Sequence, residues 1–355
     1  MFTREMWRDF CRRLEAAGEV VLAPGAAASP LDRAEGFRYL TRLLRIGLDM
    51  HLEHADPDFP SFYAASHQTA KIGADNPDNI YMNATVSGAR RYRITGTRGG
   101  VPILSFGTKA NRYALDGTMA STGELDSADM QVAPDGSFEI VVSRERAEGN
   151  WLPLADDSSM VIVRQTFLDR AAETPATVEI AAIDGPATPA PLTAGRLAMA
   201  LGRVTAFVEG TARTFVDWTE NFRAEQFNRL ATIDQMRFFR AGGDPTIFYL
   251  HGWWQLAPGE ALRIDTPIPE CSFWNFQLDN YWMESLDYRY HRIHVNGYGS
   301  RLNDDGTLTL IIADRDPGFG NWIDTAGHDR GTMLLRWTGA TDHPVPQTRI
   351  IRLND

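Results

Sequence analysis

An internal repeat constrains the fold of this chain more strongly than any other feature of its sequence. The segment GNWLPLADDSSMVIVRQTF (residues 149–167) returns near the C-terminus as GNWIDTAGHDRGTMLLRW (residues 320–337). Each segment holds a Gly-Asn-Trp tripeptide, a short polar loop and an apolar run that reaches an arginine, at Arg164 and at Arg336. The sequence therefore predicts two related halves.

The repeat extends upstream of both segments. Asp135-Gly136 precedes SFEIVVS and Asp305-Gly306 precedes TLTLIIA, so in both copies a turn leads into a strand with alternating apolar residues. Further upstream, NPDNIYMNA before RRYRIT resembles DPTIFYLHG before EALRIDT. The correspondence covers roughly residues 76–167 and 244–338, which indicates a duplicated β-module.

Each copy offers one apolar strand face that has to be covered. The faces consist of Phe138, Ile140 and Val142 in the first copy and of Leu308, Leu310 and Ile312 in the second. The simplest arrangement packs copy against copy, sheet on sheet, and places the Gly-Asn-Trp motifs in equivalent corners. We interpret the motif as structural, with Gly and Asn forming a turn and Trp filling the end of the sandwich.

Helical patterns occupy the N-terminus and the segment between the copies. Ser29 with Pro30 is typical of a helix start, Thr193 is a second candidate N-cap, and the residues after Thr193 predict a pair of helices. We therefore expect a mainly β protein built from duplicated β-sandwich or jelly-roll-like modules. Its expected parts are an N-terminal helical segment (1–60), a first β module (76–180), a helical insertion (192–241) and a second β module (244–355).

The C-terminal copy also resembles a known family. DGTLTLIIADRDPGFGNWIDTAGHDRGTMLLRW, and more weakly DGSFEIVVSRERAEGNWLPL, is similar to the bacterial family called domain of unknown function 1214, which often accompanies one numbered 1254. The residues that carry the resemblance are Asp316, Pro317, Gly318, Asn321 and Trp322. The resemblance implies a β-sandwich fold, and it implies no reaction because the family carries no settled one.

Charge and composition narrow the class of partner. The formal net charge is −11 and the pI is about 5.2, so nucleic acid is not an expected partner. No apolar segment is long enough to span a bilayer, and the N-terminus lacks the apolar core of a secretory signal. The two cysteines form no disulfide framework, so we expect a cytoplasmic protein. An exposed edge strand would allow a homodimer.

Aromatic residues concentrate in HGWWQLAPGE (251–260) and CSFWNFQLDNYWMESLDYRYHRIHVNGY (271–298). In a strand, Asn275, Gln277 and Asp279 would share the face opposite an aromatic one. That polar face either lines a pocket for an apolar or sugar-like ligand or meets water. The expected substrate-binding residues are Tyr81, His251, Trp253, Trp254, Trp274, Tyr281 and Trp282.

Titratable side chains lie among these aromatics and suggest acid/base chemistry. The expected catalytic residues are Asp279, Glu284, His291 and His294. The sequence contains no nucleophile elbow and no phosphate-binding loop, so no cofactor is expected. No metal is expected either, because a strand would point His291 and His294 to opposite faces and because His51 and His54 lack a third ligand.

Two functions remain open at this point. The first is a cofactor-independent hydrolase or lyase that acts on a small, partly apolar metabolite in an aromatic-lined pocket. The second is a non-catalytic module that binds carbohydrate or hydrophobic small molecules. An enclosed pocket with a buried carboxylate or imidazole favours the enzyme, whereas a shallow exposed aromatic platform favours the binding module.

Overall fold

Helices cover the N-terminus and join the two modules. The computed structural model describes residues 1–23 and 29–353. Its helices are α1 (Arg4–Leu22), α2 (Pro30–Leu48), α3 (Ala194–Glu225) and α4 (Gln235–Arg240), with a π-helical turn at Asp49–Glu53 and a 3-10 turn at Ser127–Asp129. The predicted N-caps are confirmed, because the side chains of Ser29 and Thr193 accept from backbone N–H groups three residues on. Across the described ranges, no helix combines the length and hydropathy that crossing a membrane requires.

Strands form the body of both modules. The first-module strands are β1 (Asn79–Thr85), β2 (Tyr92–Thr97), β3 (Ile103–Arg112), β4 (Thr118–Asp126), β5 (Ser137–Ser143), β6 (Asn150–Pro153), β7 (Met160–Thr166) and β8 (Thr177–Ala182). A short strand, β9 (Arg229–Thr232), lies between α3 and α4. The second-module strands are β10 (Ile247–Gln255), β11 (Glu260–Thr266), β12 (Phe273–Leu278), β13 (His294–Asn296), β14 (Leu308–Ala313), β15 (Asn321–Asp324), β16 (Arg330–Thr338) and β17 (Gln347–Arg352).

The two modules share one topology. Within the described residues, the first module forms four-stranded sheets in the orders β1-β7-β3-β4 and β6-β5-β2-β8. The second forms β10-β16-β12-β13 and β15-β14-β11-β17, which is the same arrangement strand for strand. In both modules the Gly-Asn-Trp strand pairs in parallel with its neighbour, β6 with β5 and β15 with β14. The predicted mainly β fold with a duplicated module is therefore confirmed.

Each module closes its own hydrophobic core, so the expectation that the two apolar faces cover each other is wrong. Phe138, Ile140 and Val142 pack inside the first module, and their counterparts on β14 pack inside the second. The reason is that each copy contains two sheets, and the second sheet covers the apolar face of the first. In each module, the sheet faces that point away from its own core are therefore free to contact other parts of the protein.

The segment between the modules holds one long helix where the sequence suggests a pair. α3 runs unbroken through Gly202 and Gly210, because an isolated glycine is tolerated inside a helix. Gly210 has a packing role: a Cβ there would lie 2.7 Å from the carbonyl oxygen of Tyr113. Phe207, Phe215 and Phe222 of α3 join a cluster that also holds α2 residues and aromatics of the second module.

The repeated Gly-Asn-Trp motif fastens the parallel strand of each module. Asn150 Nδ2 donates to the carbonyls of Gln131 and Glu139, and Asn321 Nδ2 donates to those of Arg301 and Thr309, at 2.8 and 2.9 Å in both copies. Each asparagine Oδ1 also accepts a backbone N–H at 2.7 Å. The side-chain amide of the asparagine therefore connects its own strand to the neighbouring strand and to a loop.

The tryptophan of the motif lies on the outer face of its sheet and does not fill the end of the sandwich. Trp151 Nε1 donates to the carbonyl of Ser143 at 3.1 Å, and Trp322 Nε1 donates to that of Ala313 at 3.0 Å. The Trp322 ring packs on Ile311, which faces away from the core of the second module. The structural interpretation of the motif holds, but the position expected for its Trp is wrong.

Candidate functional site

A cavity of about 180 Å³ lies between the two modules, lined by equivalent strands from each. We call it the inter-module cavity. Alternate residues of β1 and β7 face it from one side, and alternate residues of β10 and β16 face it from the other, because side chains one apart in a strand point to opposite faces. The equivalent pairs are Asn79 with Ile247, Tyr81 with Tyr249, Asn83 with His251, Ile162 with Leu334 and Arg164 with Arg336.

The turn before each wall strand has the same construction. The hydroxyl of Tyr81 accepts from the backbone N–H of Asn76 at 3.2 Å, and the hydroxyl of Tyr249 accepts from that of Asp244 at 2.9 Å. The Oδ1 atoms of Asn76 and Asp244 each accept the N–H two residues on, which closes an Asx turn. These turns place Tyr81 and Tyr249 at matching points on the cavity wall.

The two arginines cross from one module to the other. Arg164 Nη2 donates to the carbonyl of Gly242 at 2.7 Å, and Arg336 Nη2 donates to the carbonyl of Ala74 at 2.6 Å. Both acceptors have positive φ, 94° for Gly242 and 54° for Ala74, and each lies two residues before an Asx turn. Each guanidinium therefore fastens the opposite module's turn to the cavity wall.

Arg336 is bound to the polar face of β12. Its Nη1 donates to Gln277 Oε1 at 2.5 Å and to Asn275 Oδ1 at 3.3 Å, and both of those residues are completely buried. Asn275 Nδ2 in turn donates to Asn76 Oδ1 and to a carboxylate oxygen of Asp78. The polar face of β12 thus neither meets water nor lines the cavity, because it is consumed in a buried network with residues 74–78.

Arg164 retains bonding capacity towards the cavity. Its Nη1 has no hydrogen-bond partner among residues 1–23 and 29–353, where the nearest carboxylate oxygen, on Asp244, lies 3.7 Å away. Burial alone would lower the pKa of Arg164, but the charge of Asp244 offsets burial and holds the pKa above its ordinary value. Arg164 is therefore a buried cation with a free donor.

Four further buried polar atoms on the cavity wall lack a hydrogen-bond partner within the described part of the chain. They are Ser66 Oγ, Asn79 Oδ1, Asn83 Oδ1 and His251 Nδ1, and each of these residues is at most 8% exposed. Buried polar groups are almost always hydrogen-bonded, and an unpaired one costs about 1–3 kcal/mol. Their concentration around one cavity is the pattern of a ligand site.

His251 is held as a neutral imidazole. Its ring stacks on Phe222 and Phe238, with centroids 4.8 and 4.7 Å away. Burial lowers its pKa well below the ordinary value, and the positive charges of Arg336 and Arg237 lower it further. Around neutral pH the imidazole can therefore accept or donate one hydrogen bond at the cavity wall.

The rest of the cavity wall is largely apolar and comes mostly from the helices and the loops beside them. It comprises Ile46, Met50, Ala65, Ile72, Tyr113, Met119, Phe207, Phe215, Trp218, Phe238, Ala241 and Met283. An apolar wall with a few convergent polar groups is typical of a small-molecule pocket.

Of the expected substrate-binding residues, the structure places Tyr81 and His251 at the cavity. The remaining five, Trp253, Trp254, Trp274, Tyr281 and Trp282, are at most 5% exposed and pack in the hydrophobic clusters away from its wall. The Trp282 ring nitrogen, for example, donates to the carbonyl of Asp32 at 2.7 Å and so fastens α2 to the second module.

The four expected catalytic residues lie outside the wall of this cavity, and each contacts a different partner. Asp279 is fully buried and accepts from Gln277 Nε2 at 2.6 Å, and Glu284 is fully buried against Arg42 Nη1 at 2.6 Å. Burial raises the pKa of Asp279 to about 7 and raises that of Glu284 above its ordinary value, although Arg42 opposes the second shift.

The two histidines of that set lie nearer the surface. His291 Nδ1 is 2.7 Å from a carboxylate oxygen of Asp324, and its side chain is exposed. His294 Nε2 is 3.3 Å from Asp78 Oδ1, at the side of the buried network. Catalytic roles for Asp279, Glu284, His291 and His294 stay predictions.

A second recess of about 190 Å³ adjoins α2 and contains charged groups that are already paired. His328 Nε2 lies 2.9 Å from Glu35 Oε2, and Asn280 Nδ2 lies 3.0 Å from both Glu35 and Glu284. Burial would lower the pKa of His328, but the hydrogen bond and charge of Glu35 raise it overall. This recess joins a helix to the second module through satisfied ion pairs.

Arg164, Arg336, Asn83, Tyr249 and Ser66 were not among the candidates that the sequence suggested. The alignment of NPDNIYMNA with DPTIFYLHG holds Asn79, Asn83 and Tyr249, and the arginines close the matched strands. Polar residues at matched positions of an otherwise apolar strand were the available signal. Ser66 lies outside the repeat, and the sequence offers no signal for it.

Comparisons with known proteins support the fold. A family model described as a protein of unknown function, DUF1214, matches residues 81–166 and 258–342. The crystal structure of an uncharacterised protein from Burkholderia cenocepacia is 51% identical, covers 98% of this chain and 97% of its own, and has a TM-score of 0.96. The VPA0106 protein from Vibrio parahaemolyticus, at 11% identity, TM-score 0.51 and coverage of 96% and 100%, shares the fold alone. No curated protein matches the chain.

Proposed function

Since the chain belongs to the DUF1214 family, whose function is unknown, we propose a function from its inter-module cavity: the protein binds a small, partly apolar metabolite there. One observation carries this proposal. A single cavity with a mostly apolar wall is surrounded by five buried polar atoms that have no hydrogen-bond partner among the described residues, on Ser66, Asn79, Asn83, Arg164 and His251. A ligand with a polar head and an apolar body would satisfy both parts.

The test is a thermal-shift screen of small metabolites with a variant that fills the cavity. Ile247→Phe adds volume at the wall position equivalent to Asn79 and is expected to abolish the shifts that native protein shows. Ile350→Phe makes the same change at an exposed position of β17 and should leave them intact. Ligands that stabilise both variants as well as native protein would contradict binding in this cavity.

Catalysis in the same cavity is a second candidate, of the cofactor-independent hydrolase or lyase type. The observation that favours it is the neutral imidazole of His251, whose free Nδ1 could act as a general base towards a bound molecule. Tyr81 on the first module and Tyr249 on the second would then orient the substrate from opposite sides of the cavity. Incubating each screening hit with native protein and with His251→Phe, followed by mass analysis, separates the two functions, because a hit recovered unchanged from both is a ligand and not a substrate.

A further inference from the structure

We infer that the ligand of the inter-module cavity is a small organic monocarboxylate whose carboxylate lies against Arg164 and whose apolar body lies against the helical wall. The inference rests on the proposed binding function and adds the chemical class of the ligand.

Of the two arginines on the cavity wall, Arg164 is the one with a donor left for a ligand. Arg336 donates to the neutral acceptors Ala74, Asn275 and Gln277, and within residues 1–23 and 29–353 no acidic side chain comes within ion-pair distance of it. Arg164 has Asp244 at 3.7 Å. Because Nη1 of the buried Arg164 has no hydrogen-bond partner among the described residues, an anion in the cavity would gain a charge-assisted hydrogen bond from it.

Asp75 also lines the cavity, but its hydrogen-bond acceptors are already used. Both of its carboxylate oxygens accept hydrogen bonds from Ser285, one from the backbone N–H at 3.0 Å and one from the hydroxyl at 2.9 Å. Arg164 Nη1, in contrast, keeps a free donor at the cavity wall.

The free donors of the wall suit a carboxylate. Tyr81 is directly opposite Arg164 in the pairing of β1 with β7, and its hydroxyl accepts from Asn76, so its own proton is available to donate. Arg164 Nη1 and the hydroxyl of Ser66 are further donors on the wall. Charge-assisted hydrogen bonds of this type are about twice as strong as neutral ones.

The size of the cavity restricts the ligand. A volume of about 180 Å³ would hold roughly six waters at about 30 Å³ each, which suits a compact aryl or alkyl carboxylate and excludes a nucleotide. Phe207, Phe215 and Phe238 also line the cavity and provide the apolar surface for its body.

The test compares three probes of one shape by isothermal titration calorimetry: phenylacetate, phenylacetamide and 2-phenylethylamine. We expect phenylacetate to bind at least about tenfold more tightly than the amide, because a charged hydrogen bond contributes more than a neutral one, and the amine to bind most weakly. Arg164→Met should weaken phenylacetate by about tenfold or more and change the amide by less than about threefold. Arg93→Met, at a half-exposed arginine of β2, is the matched control and should leave all three unchanged.

The probe series on native protein keeps the test decisive even if Arg164→Met does not fold. An amide or amine that binds as tightly as phenylacetate overturns the carboxylate and leaves the binding function standing. If none of the three probes binds, the charge of the hits from the thermal-shift screen is decisive. Hits that are predominantly neutral or cationic overturn the inference that the ligand is an anion. A screen without any hit that Ile247→Phe abolishes overturns the binding function itself.

Discussion

In native protein, the free energy of unfolding is expected to fall as pH rises because Asp279 loses its proton. Asp279→Asn should abolish this fall. Burial raises the pKa of this carboxyl from 3.8 to about 7, although the hydrogen bond from Gln277 opposes the shift. Between these two values the folded chain holds a proton that the unfolded chain has released, so stability falls with increasing pH. The pKa difference of about three units, at about 1.4 kcal/mol per unit, lowers the free energy of unfolding by about 4 kcal/mol above pH 7.

The assay is urea unfolding of native protein and Asp279→Asn at pH 4.5 and pH 8. The asparagine keeps an acceptor for Gln277 and carries no charge, so the free energies of unfolding should agree within about 1 kcal/mol at pH 4.5. At pH 8 the variant should be more stable by up to about 4 kcal/mol. A stability difference that is the same at both pH values would refute the reasoning.

Asp265→Asn is a control for which the expected change of stability at high pH has the opposite sign. Although burial would raise the pKa of Asp265, its hydrogen bonds from Arg263 and Thr309 lower it overall, so its charge stabilises the fold above its unfolded pKa. The Asp265 variant should therefore lose stability at pH 8, and it should lose less at low pH.

Two other substitutions test the repeated motif and the recess beside α2. Asn321→Ala should cost about 3 kcal/mol, because it leaves backbone groups of Arg301 and Thr309 unpaired at a buried asparagine, whereas Asn150→Ala should cost less because water reaches that partly exposed site. Equal costs in urea unfolding would contradict this difference in burial. His328 has a raised pKa, so its stabilisation is complete below 6.5 and is lost as pH rises through the higher folded value. His328→Gln should remove that loss between pH 5.5 and 8.5, and an unchanged pH profile would show that the pairing contributes nothing.

The duplication could be predicted from the sequence because its signals are local. The Asp-Gly turns, the alternating strands and the Gly-Asn-Trp motif each need only neighbouring residues to be recognised. The packing of the copies could not be predicted, because it depends on long-range pairing of β1 with β7 and of β10 with β16. These pairings give each copy a second sheet and therefore its own core.

The polar face of β12 shows why the site was expected elsewhere. The alternation of Asn275, Gln277 and Asp279 predicts a face that meets either water or a pocket, and both alternatives assume a free surface. The loop at residues 74–78 covers that face and Arg336 bonds to it, which only the folded chain reveals. Arg164 and Arg336 were recognised as repeat markers, but a marker at the end of an apolar strand carries no sign of a cavity.

The most direct test of the inter-module cavity as a ligand site is a crystal structure of the protein soaked with 4-bromophenylacetate, with anomalous scattering used to locate the bromine. We predict a bromine peak inside the cavity, on the side of Phe215 and Phe238, with carboxylate density next to Arg164. Anomalous peaks confined to other surfaces, in crystals where the cavity contains only water, would contradict the proposal.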